Sequence, residues 1–400
     1  MKFRGALLLC VLVLLSLLAA GCGNQREIED LAIVSAMGID YLPQEGQYLF
    51  TVQLIKPQQV KNSASGTSGG TEPSPMVLLS GRGKSLLDAT RNIEEQLSRD
   101  LFWAHSRVIV IGEDMARRGL DKLDFLVRDH EVRLDSWVLT ARGQAREILA
   151  VPPGLEAVPA HAIEGILRQG AQTTWELREV LAMSLCSGDN PLTARVMVEK
   201  GNWREAAGAT QAAAKPEVKI SGLAVYKKNK LVGWLDDYET RGLMWLRNRV
   251  EQGVITVPCP ENPAENYSFM LRRATTRVIP RVSGDQVNFT VKMELDIDLD
   301  EVTCAIDLSE PEALAKLERL AEKDLEDRAR QVLKRAQEEF GVDLFGFGEE
   351  LRRADFAYWR QVEENWNDYF PNAGVDFVVD ARLRRIGMLG DPLISKKEQP

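Results

Sequence analysis

Arg107–Ile111 reads RVIVI, one arginine followed by four β-branched residues without alternation. A short, continuous apolar run of this kind suits a strand covered on both faces inside a layered sheet. Its surroundings change period. Upstream, within Lys84–Ser98, Leu86, Leu87, Thr90, Ile93 and Leu97 recur at helical spacing. Downstream, Glu113–Arg118 and Leu120–Arg128 read as short helices and Trp137–Ala141 as the next strand. Helices that return the chain between apolar strands imply an α/β layer with some parallel pairing. Leu31–Tyr41 and Gln47–Ile55 add paired strands around the turn Pro43–Gly46, and Met76–Ser80 adds another. Between them Asn62–Pro75 (NSASGTSGGTEPSP) has the composition of a surface loop.

Val151-Pro152-Pro153-Gly154 interrupts this pattern and opens a helical stretch, His161–Gln169 and Thr174–Leu185. Glu205–Pro216 (EAAGATQAAAKP) reads as a linker into a second half of different character. Strands Val218–Tyr226 and Lys230–Leu235, a helix Asp236–Asn248 and a strand near Val254–Val257 begin it. A long hairpin follows, Ser268–Val282 and Gln286–Leu299, turning at Ser283-Gly284-Asp285. Pro311 then opens a helix to about Phe340, at a position where its missing donor costs nothing. Leu314, Leu317, Ala321, Leu325, Val332, Ala336 and Phe340 form its apolar stripe. Helices Phe345–Arg352 and Phe356–Tyr369 and a strand Val375–Ile386 complete the chain. The expected fold class is α+β and multi-domain, with three domains, mixed sheets with flanking helices and one long helix in the C-terminal half. The expected divisions are a leader 1–21, an N-terminal α/β domain 22–150, a helical middle region and linker 151–216, and a C-terminal α+β domain 217–392.

The first residues place the chain outside the cytoplasm. Lys2 and Arg4 precede an uncharged run, Ala6–Ala20 (ALLLCVLVLLSLLAA), that ends in Ala19-Ala20-Gly21-Cys22. This is the layout of a secretory signal peptide, and the run is shorter than the roughly 20 apolar residues of a spanning helix. The closing cysteine resembles a bacterial lipobox, in which Cys22 receives a diacylglycerol on sulfur and becomes the first mature residue. Two acyl chains, at about 0.8 kcal/mol per buried methylene, suffice to hold a protein on its membrane. The full chain carries a formal charge of −9, and leader removal takes away two more cations. So acidic a surface is repelled by nucleic acid and by anionic lipid, so no nucleic-acid partner is expected. Past the anchor, Cys186, Cys259 and Cys304 allow at most one bridge, and they read as buried small hydrophobes.

Several stretches imitate chemical sites. Gly81-Arg82-Gly83-Lys84-Ser85 ends like a phosphate loop, but Leu78 stands where the first glycine is needed, leaving a tight strand-to-helix turn. Asp296, Asp298 and Asp300 resemble a calcium loop, yet Ile297 and Leu299 impose strand alternation and Glu301 replaces the required glycine. They read as a solvated strand face. His105, His130 and His161 are the only histidines and none has a partner at metal-ligand spacing; His105 reads as a core or capping residue. With no GxSxG elbow and no metal or cofactor motif, the expectation is a non-enzyme without cofactor or metal. Trp359 and Trp366, seven apart on one expected helix, read as core. Glu239, Thr240, Arg241 and Trp245 combine a tryptophan with paired charges, so Asp236–Asn248 is the candidate interface, either for a partner or between domains.

Six stretches, taken together, resemble one family. They are Cys22–Asp40 (CGNQREIEDLAIVSAMGID), His105–Ile111 (HSRVIVI), Leu123–Arg133 (LDFLVRDHEVR), Gly233–Asn248 (GWLDDYETRGLMWLRN), Asp343–Gly348 (DLFGFG) and Trp359–Phe370 (WRQVEENWNDYF). In this order they resemble the Ger(x)C lipoproteins, the C subunits of spore germinant receptors, across nearly the whole chain. The resemblance implies a three-domain α+β protein, lipid-anchored on the outer face of the spore inner membrane. It implies membrane-embedded A and B subunits as partners, in a complex that answers nutrients by starting ion and dipicolinate release. It carries over one functional residue, Cys22, and no catalytic ones. A competing expectation from another class is an extracytoplasmic solute-binding lipoprotein of a transporter. That reading calls for a cleft with convergent polar groups at the domain boundary.

Overall fold

The computed structural model describes residues 27–56, 75–128, 131–152, 154, 156–169, 173–201, 216–284, 286–304 and 306–387. The leader, Cys22, His130, Asp285 and nearly all of the 62–75 and 205–216 stretches lie outside the described residues.

The strands form two sheets. The first contains β1 (Leu31–Leu42), β2 (Gln47–Ile55), β3 (Met76–Gly83), β4 (Asp100–Phe102), β5 (Val108–Ile111), β6 (Trp137–Ala141), β7 (Trp175–Glu176), β8 (Leu192–Lys200), β9 (Pro216–Lys227) and β10 (Lys230–Leu235). Their order is β10-β9-β8-β6-β5-β1-β2-β3, with β4 beside β1 and β7 beside β6. β1, β5, β6 and β8 run parallel at its centre, and antiparallel hairpins extend it on both sides. β5 is the run RVIVI without its arginine. Val108 and Val110 join a core with Ile148, Ile163 and Leu167 from helices Ala145–Leu149 and Pro159–Gln169. Ile109 and Ile111 enter the core on the opposite face, and none of the four is exposed.

This sheet runs across the boundary expected at 216/217. β8 and β9 pair with each other, Val196 opposite Ile220 and Lys200 opposite Pro216, and β10 closes the edge. The pairing is non-local, so the bland composition of the intervening segment carried no sign of it.

The second sheet, β11 (Val254–Pro258), β12 (Asn266–Ser283), β13 (Gln286–Val302) and β14 (Gly374–Arg385), has the order β11-β12-β13-β14. The β12–β13 hairpin is antiparallel and β14 joins β13 in parallel. Alternation in β13 sends Val287, Phe289, Val291, Met293 and Leu295 into the core. Leu317, Ala321, Leu325, Val332 and Ala336 enter the same core from helix Pro311–Lys334 and its π-helical continuation Arg335–Phe340. Glu318 and Glu322 of that helix accept from the backbone N–H groups of Leu383 (2.8 Å) and Ala381 (3.1 Å). Part of the outer edge of β14 is thereby closed to another strand.

The phosphate-loop imitation is a tight turn. Ser85 caps helix Leu86–Glu94 by accepting from the Asp88 N–H, and a Cβ on Gly81 would lie 2.1 Å from the Ala89 carbonyl oxygen. The glycines therefore let strand and helix touch. Four other expectations are corrected. Cys259 and Cys304 form a disulfide, tying the end of β11 to the segment after β13 and leaving Cys186 as a free thiol. Asp298 is buried, its carboxylate receiving Arg272 Nε at 2.6 Å; only Asp300 of the three aspartates is exposed. His105 is exposed at the end of the turn Trp103–His105, its ring 5.5 Å from Phe102. The helix expected over Phe356–Tyr369 breaks at Glu363–Asn365. Trp359 and Trp366 are nonetheless both buried, their rings meeting edge to face at 5.6 Å.

Candidate functional site at the junction of the sheets

Helix Asp237–Leu246 begins with a reciprocal cap. The Glu239 N–H donates to Asp236 Oδ1 at 2.8 Å, and the Asp236 N–H donates to Glu239 Oε2 at 3.0 Å. This satisfies donors that a helix start otherwise leaves open. The same Glu239 carboxylate receives Arg335 Nη1 at 2.9 and 2.7 Å. Arg335 also donates to the Trp234 carbonyl and to Glu339, and the Glu339 and Glu239 carboxylates hold its guanidinium well above its usual range. The first sheet, the capped helix and the long helix are thus joined through one arginine. Two glycines let the parts approach. A Cβ on Gly233 would lie 2.4 Å from the Phe340 ring, and one on Gly242 would lie 2.6 Å from the Arg328 carbonyl oxygen.

The far end of the helix meets the second sheet. Thr276 of β12 donates its hydroxyl to the Trp245 carbonyl at 2.7 Å and its N–H to Asn248 Oδ1 at 2.8 Å. Trp245 is 6% exposed, and Glu239 and Thr240 are 3% exposed each. Three of the four side chains expected at an interface are therefore enclosed within the chain, which corrects the partner-facing version of that expectation. What they form is a joint between the sheets. Arg241 alone remains exposed, its guanidinium 3.4 Å from the Val254 carbonyl. Thr240 Oγ1 is buried with no hydrogen-bond partner among the described residues.

A second joint, absent from the sequence expectations, lies under the DLFGFG stretch. Asp343 is fully buried and accepts from the N–H groups of Phe345, Gly346 and Gly348 and from Trp366 Nε1, at 2.8–3.0 Å. Burial and the nearby Asp189 charge push its carboxyl up to about 6, against the pull of those donors. Arg247, next to the capped helix, grips Asp189 at 3.0 and 2.8 Å and donates to the Leu344 carbonyl at 2.6 Å. Asn190 donates to the Asp343 carbonyl and accepts from the Lys228 N–H. Backbones touch here: a Cβ on Gly348 would lie 2.7 Å from the Gly188 Cα. Cys186 donates its thiol to Glu349 at 2.8 Å, and burial pushes its pKa up to about 11, so it is a poor nucleophile. The sequence signal for this joint was an aspartate followed by two glycines among phenylalanines.

A groove of about 640 Å³ opens beside Trp245, with Met244, Met270 and Leu325 on its walls. Two of its three arginines are held by carboxylates, and the third, Arg241, reaches only the Val254 carbonyl. Arg168 is paired with Glu164 at 2.7 Å, and Arg328 with Asp324 at 2.7 Å. Among the described residues no group of three or more His, Cys, Asp or Glu is placed to hold a metal ion, and no helix is long and apolar enough to cross a membrane.

The fold and its joints thus define a multi-domain α+β protein whose buried charges clamp two sheets together. Residues 24–188 match the family described as spore germination protein N-terminal domain. Residues 221–387 match spore germination B3/GerAC like, C-terminal. The chain belongs to this spore germination family. Spore germination protein KC of Bacillus subtilis (strain 168) is 28% identical over 96% of this chain and 97% of its own. Spore germination protein B3 of the same organism is 24% identical over 95% and 98%. The crystal structure of the GerBC protein superposes with a TM-score of 0.57 at 21% identity, covering 89% of this chain and 99% of that one, a likeness of fold.

Proposed function

We propose that this chain is the lipid-anchored, non-catalytic C subunit of a germinant receptor. In this reading it is held by Cys22 on the outer face of the spore inner membrane. It supports nutrient-triggered germination through protein contacts with membrane-embedded A and B subunits. The observation that carries the reading is the family match over both halves, 24–188 and 221–387, behind a leader-like stretch followed directly by Cys22. The site agrees with it: Arg335, Arg247, Asp343 and Glu239 are engaged in holding the sheets together. A tether adds to this by raising effective concentration for partners in the same membrane without new contacts. The solute-binding alternative gains little from the groove, two of whose three arginines, Arg168 and Arg328, are paired with carboxylates of their own helices.

A Cys22→Ala variant in the native host, followed through membrane fractionation and germination, tests the reading. It is expected to leave the membrane fraction and to slow or abolish the nutrient response. A variant that stays fully membrane-bound in normally responding spores refutes it.

A further inference from the structure

The length of chain between the anchor and the first strand restricts which part of the molecule meets the bilayer. We propose that the end of the first sheet bearing the starts of β1, β5 and β6 lies against the lipid surface, while the Pro43–Gly46 turn points away. This rests on the anchored reading above. From Cys22 to Glu27 there are five peptide steps, which span at most about 17 Å when fully extended. Ile28–Asp30 then forms one 3-10 turn and β1 begins at Leu31.

Parallel pairing fixes what lies beside that point. Leu31 is opposite Asp100, Ala36 is opposite Val108, and Val108 is opposite Trp137, so the segments entering β4, β5 and β6 approach from one end of the sheet, β5 and β6 starting five residues further in than β1. The antiparallel strands agree: Val34 faces Leu54 and Ile55 faces Met76, placing Lys56 at the same end. Strand β1 has 12 residues, so its far end is about 36–40 Å further on. Neighbouring strands rotate by roughly 20–25° each, so only strands within two places of β1 keep their ends close to this point.

The surface at this end mixes basic, apolar and acidic groups. His105, Arg99 and Arg133 are exposed, and the Leu134 side chain is 44% exposed. Arg107 and Arg133 surround Asp135, at 3.5 and 2.9 Å, so this carboxylate is neutralised locally. Phe102 sits half-buried against His105. Glu27, Glu29, Asp30 and Asp100 are also exposed at this end, so attraction by anionic lipid is not what holds the patch down. The short tether holds it, and the basic and apolar groups make the contact tolerable to head groups.

The mature protein, purified from a host that lipidates it and carrying Cys186→Ser, tests the orientation. It is reconstituted into phosphatidylcholine vesicles containing a gadolinium-chelating lipid. A luminescent probe is placed in turn on His105→Cys, Leu134→Cys and Gln44→Cys. Several-fold quenching at 105 and 134 with little at 44 is expected. Equal quenching at all three, or stronger quenching at 44, in protein that floats with the vesicles overturns the orientation alone. Protein that fails to float overturns the anchor and the orientation together.

Discussion

At the scale of single residues, two buried carboxyls give the molecule a pH dependence. Asp40 accepts from the N–H groups of Ala145 (2.7 Å) and Arg146 (3.0 Å), and burial pushes its pKa up to about 6. Gly112 is what permits this placement, since a Cβ there would lie 1.9 Å from Asp40 Oδ1. Asp343 is pushed up to about 6 as well, from an ordinary value of 3.8. A carboxyl that ionises later in the folded state contributes stability that is fully present below the unfolded value and lost as pH rises through the folded one. Between pH 4 and pH 6 each of the two therefore removes up to about 3 kcal/mol. Urea unfolding across this window is expected to show the decline, and Asp40→Asn to flatten part of it. An unchanged pH profile in that variant would contradict the assignment. The exposed ion pairs, such as Arg352 with Glu349, act in the opposite sense at lower pH and are individually weak.

At the scale of elements, the two joints set how the halves sit together. Arg247 and Asp189 are 14% and 12% exposed, so removing the arginine leaves a nearly buried carboxylate beside Asp343. Arg247→Ala is expected to cost about 3–5 kcal/mol in equilibrium unfolding. Hydrogen exchange in that variant is expected to accelerate at residues 186–190 and 343–348 before it does so in β5. Uniform exchange across the chain would show that the pair does not couple the halves. Most elements were legible in the sequence. RVIVI, the β12–β13 hairpin and the proline-started helix each carry a local period or punctuation that survives folding. The joints were legible only in part. The cap between Asp236 and Glu239 follows from their spacing, three residues apart, whereas Arg335 lies 96 residues from Glu239 and no local pattern links them. The same holds for Asp298 with Arg272, for Cys259 with Cys304, and for β9 returning to β8. In each case the partner is set by non-local packing. The break at Glu363–Asn365 was hidden for a different reason. Seven residues of unbroken helix would separate Trp359 and Trp366 by about 10.5 Å along the axis, and bending lets both rings enter one core.

At the scale of the whole molecule, charge, leader and architecture support one account. The two sheets share a continuous hydrophobic core that includes Trp245, Phe289 and Trp366, so the body presents itself to partners as one unit. Its formal charge of −9 offers no general attraction to nucleic acid or to anionic lipid, so in the proposed reading the anchor at Cys22 is what holds it at the membrane. The proposed orientation leaves the Pro43–Gly46 end facing away from the bilayer. Everything at this scale depends on the sulfur of Cys22. Mass spectrometry of the amino-terminal peptide from purified spore membranes tests it most directly. A thioether-linked diacylglycerol on Cys22, with residues 1–21 removed, is the expected result. An unmodified Cys22 still attached to its leader would contradict the account.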